Sequence, residues 1–361
     1  MKNKLIFEFS KNKTDGDSSL NNLLGGKGAN LAEMSNMKIP VPPGFTITTE
    51  VCNYFTENNK LPDNLDNEIR KAVKNLESLS DKSFGGEGTP LLLSVRSGGR
   101  VSMPGMMDSV LNIGLNDSNV FQLAEAFNDE RFALDSYRRL IQMYSNVVLG
   151  VEHERFEAVL ANKKRMDNVV SDADFNVDQL NWIINAYKNT VERFTDSLFP
   201  QDPYEQLTGA IEAVFNSWQN KRAVIYRKIN NIPDSWGTGA TIQTMVFGNL
   251  NDKSGTGVAF TRNPSNGDRE LYGEYLINAQ GEDVVAGIRT PHPIRKHSKI
   301  EQESLESKFP KAYKELLEIS TKLENHFKEA QDIEFTIEKE DIYLLPVSYT
   351  HLRAHETHED L

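Results

Sequence analysis

The chain has 361 residues, too many for one small core, so two or three packed units are expected. Its 38% apolar and 25% charged residues are an ordinary globular balance, and 52 acidic against 40 basic residues leave a net charge of −12. That charge argues against a nucleic-acid binder, which would show a basic face, but not against a site that grips a phosphorylated small molecule with a few local cations.

From Met1 onward the chain opens with lysines but no long apolar run, so no signal peptide is read there. No stretch of about 18 apolar residues follows anywhere, which leaves no spanning helix and makes the cytoplasm the default. Residues 1–115 read as mixed α/β, rich in Gly and Pro, with one cysteine, Cys52, and therefore no disulfide framework. The run Leu91-Leu-Leu-Ser-Val95 is a buried-strand candidate. Residues 116–200 read as helix: Phe121, Leu123, Ala124 and Phe127 recur at helical steps, as do Phe132, Tyr137, Ile141, Tyr144 and Val148. Over 201–250 a further helix starts at Asp202-Pro203, an amide-accepting cap followed by a first-turn proline. Leu207, Ile211, Val214, Phe215 and Trp218 are its core-facing stripe. Over 251–345 short strands dominate, at 257–261 and 271–278, preceded by one at 242–247. A helix around 303–329 and a hairpin over 333–345 complete the pattern.

Four segments carry candidate chemistry. Leu24-Gly25-Gly26-Lys27-Gly28 precedes a helical run at Ala32-Glu33-Met34. Its glycines let backbone approach a ligand, the helix start offers free amides to a phosphate, and Lys27 adds a charge. It is not a Walker loop, and by itself it reads first as a glycine turn with a solvated lysine. The second segment, Ser94 to Asp108, places Arg96 and Arg100 among Ser and Gly after an apolar strand, where forked guanidinium bonds suit phosphate oxygens. The third is the strand Asp332-Ile333-Glu334-Phe335-Thr336-Ile337. Strand alternation sends Ile333, Phe335 and Ile337 to the core, while Asp332 and Glu334 share the other face. Such a pair suits Mg²⁺, although spacing alone reads first as an amphipathic strand with a wet acidic face. The fourth, Asn278-Ala-Gln-Gly-Glu282-Asp-Val-Val-Ala-Gly287, is polar at its centre and flanked by glycine, as a ligand-gripping loop would be.

These segments, in this order, resemble the pyruvate phosphate dikinase family. So do Trp236-Gly-Thr-Gly-Ala240, Gln243-Thr-Met-Val-Phe-Gly248, Ser254-Gly-Thr-Gly-Val-Ala-Phe-Thr-Arg-Asn-Pro264 and Gly273-Glu-Tyr-Leu-Ile-Asn278. The resemblance runs from Leu23 to about Leu345. It implies an α+β, ATP-grasp-like fold of two mixed subdomains with an inserted all-helical one. On that reading 1–115 and 201–250 form the first nucleotide subdomain, 116–200 the insertion and 251–345 the second nucleotide subdomain. The ligand implied is ATP with Mg²⁺. Lys27, Arg96, Arg100, Glu282, Asp332 and Glu334 would meet the nucleotide, with Asp332 and Glu334 also facing the metal. In the family a histidine on a carrier domain takes the β-phosphate, and a further domain passes it to pyruvate, converting ATP, pyruvate and phosphate to AMP, phosphoenolpyruvate and diphosphate. His153, His292, His297 and His326 lie in no Thr-Ser-His setting of the carrier kind. The phosphoacceptor histidine, and hence any covalent catalytic residue, is therefore expected to be absent here, with neither nucleic acid nor membrane as a partner. A nucleotide-binding module without turnover, or the ATP domain of a related dikinase such as phosphoenolpyruvate synthase, are the rival readings.

The resemblance breaks after Leu345, where the family continues into Gln-Thr-Arg and this chain has Pro346, Val347 and Ser348. The run Val347 to Thr357 resembles one reading frame of a transposase adapter used in sequencing libraries, so 346–361 is expected to be a non-native tail. His351, His355 and His358 have helical spacing for zinc, but Pro346 and the chain end leave no supporting shell, and no metal is expected there.

Overall fold

The computed structural model of the chain describes residues 4–285, 287, 289–296 and 303–345. The described chain falls into two compact units. One takes the residues up to Phe7, Gly44–Gly98 and Met103–Met245; the other takes Glu8–Pro43, Gly99–Ser102 and the residues from Val246 onward.

The first unit is organised on a sheet of order β1-β2-β5-β3-β4, made of Ile6–Phe9, Gly44–Ile47, Leu93–Gly98 (β3), Ser109–Ile113 (β4) and Gly239–Thr244 (β5), with β1 and β2 the first two. The expected strand at Leu91–Val95 thus starts two residues later and extends to Gly98. In the antiparallel β2–β5 and β3–β5 pairs, partnered residues share a face. Phe45, Val95 and Ile242 are therefore apolar neighbours on one side, each completely buried. Helix α8 (Pro203–Ser217) packs on β3, β4 and β5. The carboxylate of Asp202 accepts from the Tyr204 amide at 2.7 Å and the Glu205 amide at 3.2 Å, as the cap reading requires. The stripe Leu207, Ile211, Val214, Phe215 and Trp218 is at most 1% exposed.

The helical stretch contains Val120–Phe127, Glu130–Val147, His153–Asp167 and Val177–Thr195. Its helices pack on one another, with the Phe156 and Tyr187 rings edge-on at 5.0 Å, and Glu130–Val147 also packs on β4. Burial alone would raise the Asp135 carboxyl, but Arg138 at 2.8 Å and Arg139 at 3.0 Å hold it well below the usual carboxylate range. Phe121 departs from the apolar pattern read in sequence: it is 55% exposed, while Leu123 takes the core position.

The second unit is organised on a sheet of order β10-β9-β6-β7-β8, made of Gly255–Phe260 (β6), Tyr272–Ile277 (β7), His292–Pro293 (β8), Asp332–Glu338 (β9) and Asp341–Leu344 (β10). Ile333, Phe335 and Ile337 face one core cluster with Ala259, Tyr275, Leu316 and Leu323. The helix expected over 303–329 is broken into Leu305–Lys308 and Pro310–Phe327. Pro310 starts the second piece and holds Phe309 at φ −126°, ψ 64°, outside helical geometry.

The helix Asn21–Asn36, here α1, also belongs to this unit, and its Leu31 and Met34 join the same cluster. It corrects the expectation of a glycine turn leading into a helix near Ala32. The helix already runs from Asn21, and only Gly25, at φ 70° and ψ 165°, leaves helical geometry. That conformation lies in a region open to glycine and costly for other residues. The glycine motif is therefore a joint inside a helix.

Candidate phosphate-gripping site

The break at Gly25 frees the amides that follow it, because the carbonyls four residues back no longer line up with them. The Gly26 amide is used at once: it donates to the Gly99 carbonyl at 2.9 Å. Asn21, one turn earlier, donates from its side-chain nitrogen to the Arg100 carbonyl at 3.1 Å. Both partners lie in Gly99–Ser102, a short segment of the second unit. A Cβ on Gly26 would stand 3.4 Å from the Gly99 oxygen, an ordinary contact, so the segment is held close by its hydrogen bonds rather than by the absence of a side chain there. The backbones carrying Lys27 and Arg100 are thus joined directly. Burial holds the Arg100 guanidinium below its ordinary value, yet an arginine remains cationic.

Arg96 belongs to the first unit, on β3, with Thr241 of β5 and Ser109 of β4 as cross-strand partners. It continues a polar row that sequence reading missed. Thr46 and Thr241 share a buried hydroxyl contact at 3.2 Å, and in the neighbouring row the Ser94 hydroxyl donates to the Gln243 carbonyl at 3.3 Å. The signal was present in the alternation of Thr241 and Gln243 along Ala240–Thr244. It was obscured because a strand buried on both faces does not read as amphipathic. The loop beyond Arg100 returns to the first unit and is fastened there. Asp108 accepts from Asn220 at 2.9 Å and pairs with Arg222, whose Nε donates to the Met106 carbonyl at 3.1 Å.

Asp332 and Glu334 share a face of β9, opposite the one that meets the apolar cluster. Their β6 partners are Phe260 and Val258. Burial, with Glu334 beside it, pushes the Asp332 carboxyl up to about 6. Glu338, two steps beyond Thr336 on this strand, accepts from the Phe247 amide at 2.7 Å. Glu282 stands in the short helix Gly281–Val285. Ahead of it the Ala279 amide donates to the Gly248 carbonyl at 2.9 Å and the Asn278 amide to the Ser254 carbonyl at 2.9 Å. Arg289 donates to the carbonyls of Asn278 and Ile277 at 3.0 and 2.7 Å, so this loop is laced along its base. Gly248 allows the close approach, for a Cβ there would fall 2.4 Å from the Ala279 oxygen. Lys27, Arg100, Glu282, Asp332 and Glu334 are thus all in the second unit. His297, the Pro346–Ser348 departure and His351, His355 and His358 lie outside the described residues. Among the described residues no group of three or more His, Cys, Asp or Glu side chains is arranged to hold a metal, and no helix is long and apolar enough to cross a membrane.

Two antiparallel sheets with helices, together with a glycine-broken α1 and an arginine loop laced to it, define a mixed α/β protein. The family model described as pyruvate phosphate dikinase, AMP/ATP-binding domain, matches residues 21–84 and 60–314. The chain belongs to this family, which is one of phosphotransferases. It is 51% identical over 343 residues to a pyruvate, phosphate dikinase of Rickettsia conorii, covering 95% of this chain and 39% of that protein. Identity is 49% over 344 residues to the Clostridium symbiosum protein of the same name, and 48% over 343 residues to the chloroplastic one of Mesembryanthemum crystallinum. Those matches cover 95% of this chain and 38% and 35% of the two relatives. The chain therefore spans well under half the length of the relatives it matches.

Proposed function

We propose that the chain clasps ATP with Mg²⁺ and serves as the nucleotide-binding part of a dikinase that converts ATP, pyruvate and phosphate to AMP, phosphoenolpyruvate and diphosphate. The observation that carries this reading is the bond from the Gly26 amide to the Gly99 carbonyl, which joins the Lys27 and Arg100 segments into one cationic element. Lys27, Arg100 and, from β3, Arg96 are the proposed phosphate contacts, and Glu282 a nucleotide contact from its laced loop. Phosphoryl transfer depends mainly on positioning and charge neutralisation, so cationic groups without a nucleophile suit a nucleotide-holding role.

The residues at β9 fit a magnesium ion. Burial first, and then the Glu334 carboxylate on the same strand face, raise the Asp332 pKa, and a cation would relieve the repulsion between the two. Mg²⁺ takes one or two protein carboxylates and completes its shell with water and phosphate oxygens, so a pair is sufficient when nucleotide is present. When bound, the ion would neutralise phosphate charge. Asp332 and Glu334 would orient it, and Lys27 and Arg100 would hold the phosphate oxygens. We further read the two units as ATP-grasp-like subdomains, the helical stretch 116–200 as an insertion, a separate carrier domain and a pyruvate domain as partners of the whole enzyme, and the cytoplasm as its location.

Calorimetric titration with Mg·ATP tests this. Arg100→Ala and Lys27→Ala should each weaken binding by roughly 10- to 150-fold, the loss of one charged hydrogen bond, with unchanged melting temperature. Unaltered affinity in both variants would refute the reading.

A further inference from the structure

The two bonds from α1 to the arginine loop are made by residues of different kinds. Gly26 uses its backbone amide, which any residue other than proline possesses, whereas Asn21 uses a side chain chosen by the sequence. The carbonyls they reach belong to consecutive residues, Gly99 and Arg100, which fixes both the position and the direction of the chain there. Asn21 is partly buried, and its side-chain oxygen lies 3.6 Å from where a Gly26 Cβ would stand, so the two donors are close neighbours. Asn22 beside it is exposed. One bond would leave the loop free to pivot; two on adjacent carbonyls remove that freedom.

We infer that Asn21 is a positioning residue for nucleotide binding: it holds the Arg100 backbone against the broken helix, so that the Arg100 guanidinium and Lys27 are presented together. The inference rests on the reading of Arg100 as a phosphate contact. Its consequence is that Asn21 acts on affinity only through Arg100, although it touches no ligand itself.

The test is a double-mutant cycle in this chain, titrated with Mg·ATP: wild type, Asn21→Ala, Arg100→Ala and the double variant. Asn21→Ala should weaken binding roughly 3- to 10-fold, the worth of one neutral hydrogen bond. In the Arg100→Ala background the same change should do nothing further. A second readout needs no nucleotide: trypsin cutting after Arg100 should be several-fold faster in Asn21→Ala, at unchanged melting temperature. Wild-type affinity in Asn21→Ala, or a loss that persists in full without Arg100, would overturn the positioning role while leaving the phosphate reading intact. If Arg100→Ala itself binds normally, the phosphate reading fails and takes with it any part for Asn21 in binding. Unchanged cleavage would show that Asn21 does not hold the loop.

Discussion

Asp332 is the residue whose environment most directly suggests a task. Its carboxyl stays protonated up to about pH 6 because burial and Glu334 both oppose its charge. An acid whose pKa is raised on folding favours the folded state below its unfolded value, near 3.8, and that contribution is lost as pH rises through about 6. Asp332→Asn should therefore melt higher than wild type at pH 8, with the gain vanishing near pH 3.5; thermal melts across that range decide it. The same variant should bind Mg·ATP more weakly, since the amide cannot face a cation as a carboxylate does. A variant that melts lower at pH 8 would contradict the electrostatic account.

At the scale of elements, caps and breaks decide where helices begin. The two amide bonds of Asp202 close the first turn of α8, so Asp202→Ala should cost about 1 kcal/mol and lower the melting temperature by roughly 2–4 °C, without altering Mg·ATP affinity. Gly25 makes the contrasting case. A side chain at φ 70° costs roughly 1–2 kcal/mol, and relieving that strain by straightening α1 would withdraw the Gly26 amide from Gly99. Gly25→Ala should therefore lose both stability and Mg·ATP affinity, measured by melting and calorimetry. If only stability falls, the joint shapes the helix but not the site.

For the molecule as a whole, two polar contacts read in the family pattern are replaced at 346–348 by Pro, Val and Ser. Restoring Gln-Thr-Arg at those positions should tighten Mg·ATP binding by about 30- to 1000-fold, as two hydrogen bonds, one charged, would be regained. Neither form, assayed as this polypeptide alone, should produce AMP in a pyruvate-dependent manner, because none of its histidines stands in a Thr-Ser-His setting. Coupled detection of AMP with and without pyruvate checks this. Equal affinity in the two forms would sink the clamp argument.

Much of this was written locally in the chain. The cap at Asp202-Pro203, the stripe down α8 and the alternation of Ile333, Phe335 and Ile337 against Asp332 and Glu334 follow from backbone periodicity and hydrogen-bonding chemistry, which act over a few residues. The chemical character of Arg96, Arg100 and Lys27 was legible for the same reason, because charge and donor geometry belong to the side chain. What periodicity could not give was which segments meet. That α1 breaks at Gly25, that Gly26 and Asn21 reach across 73 and 79 residues to Gly99 and Arg100, and that Gly99–Ser102 leaves its sequence neighbours for the other unit are products of long-range packing. Pairings of that kind depend on how apolar faces distant in sequence, such as Leu31 and Met34 with Phe335, bury one another, and no local pattern encodes them.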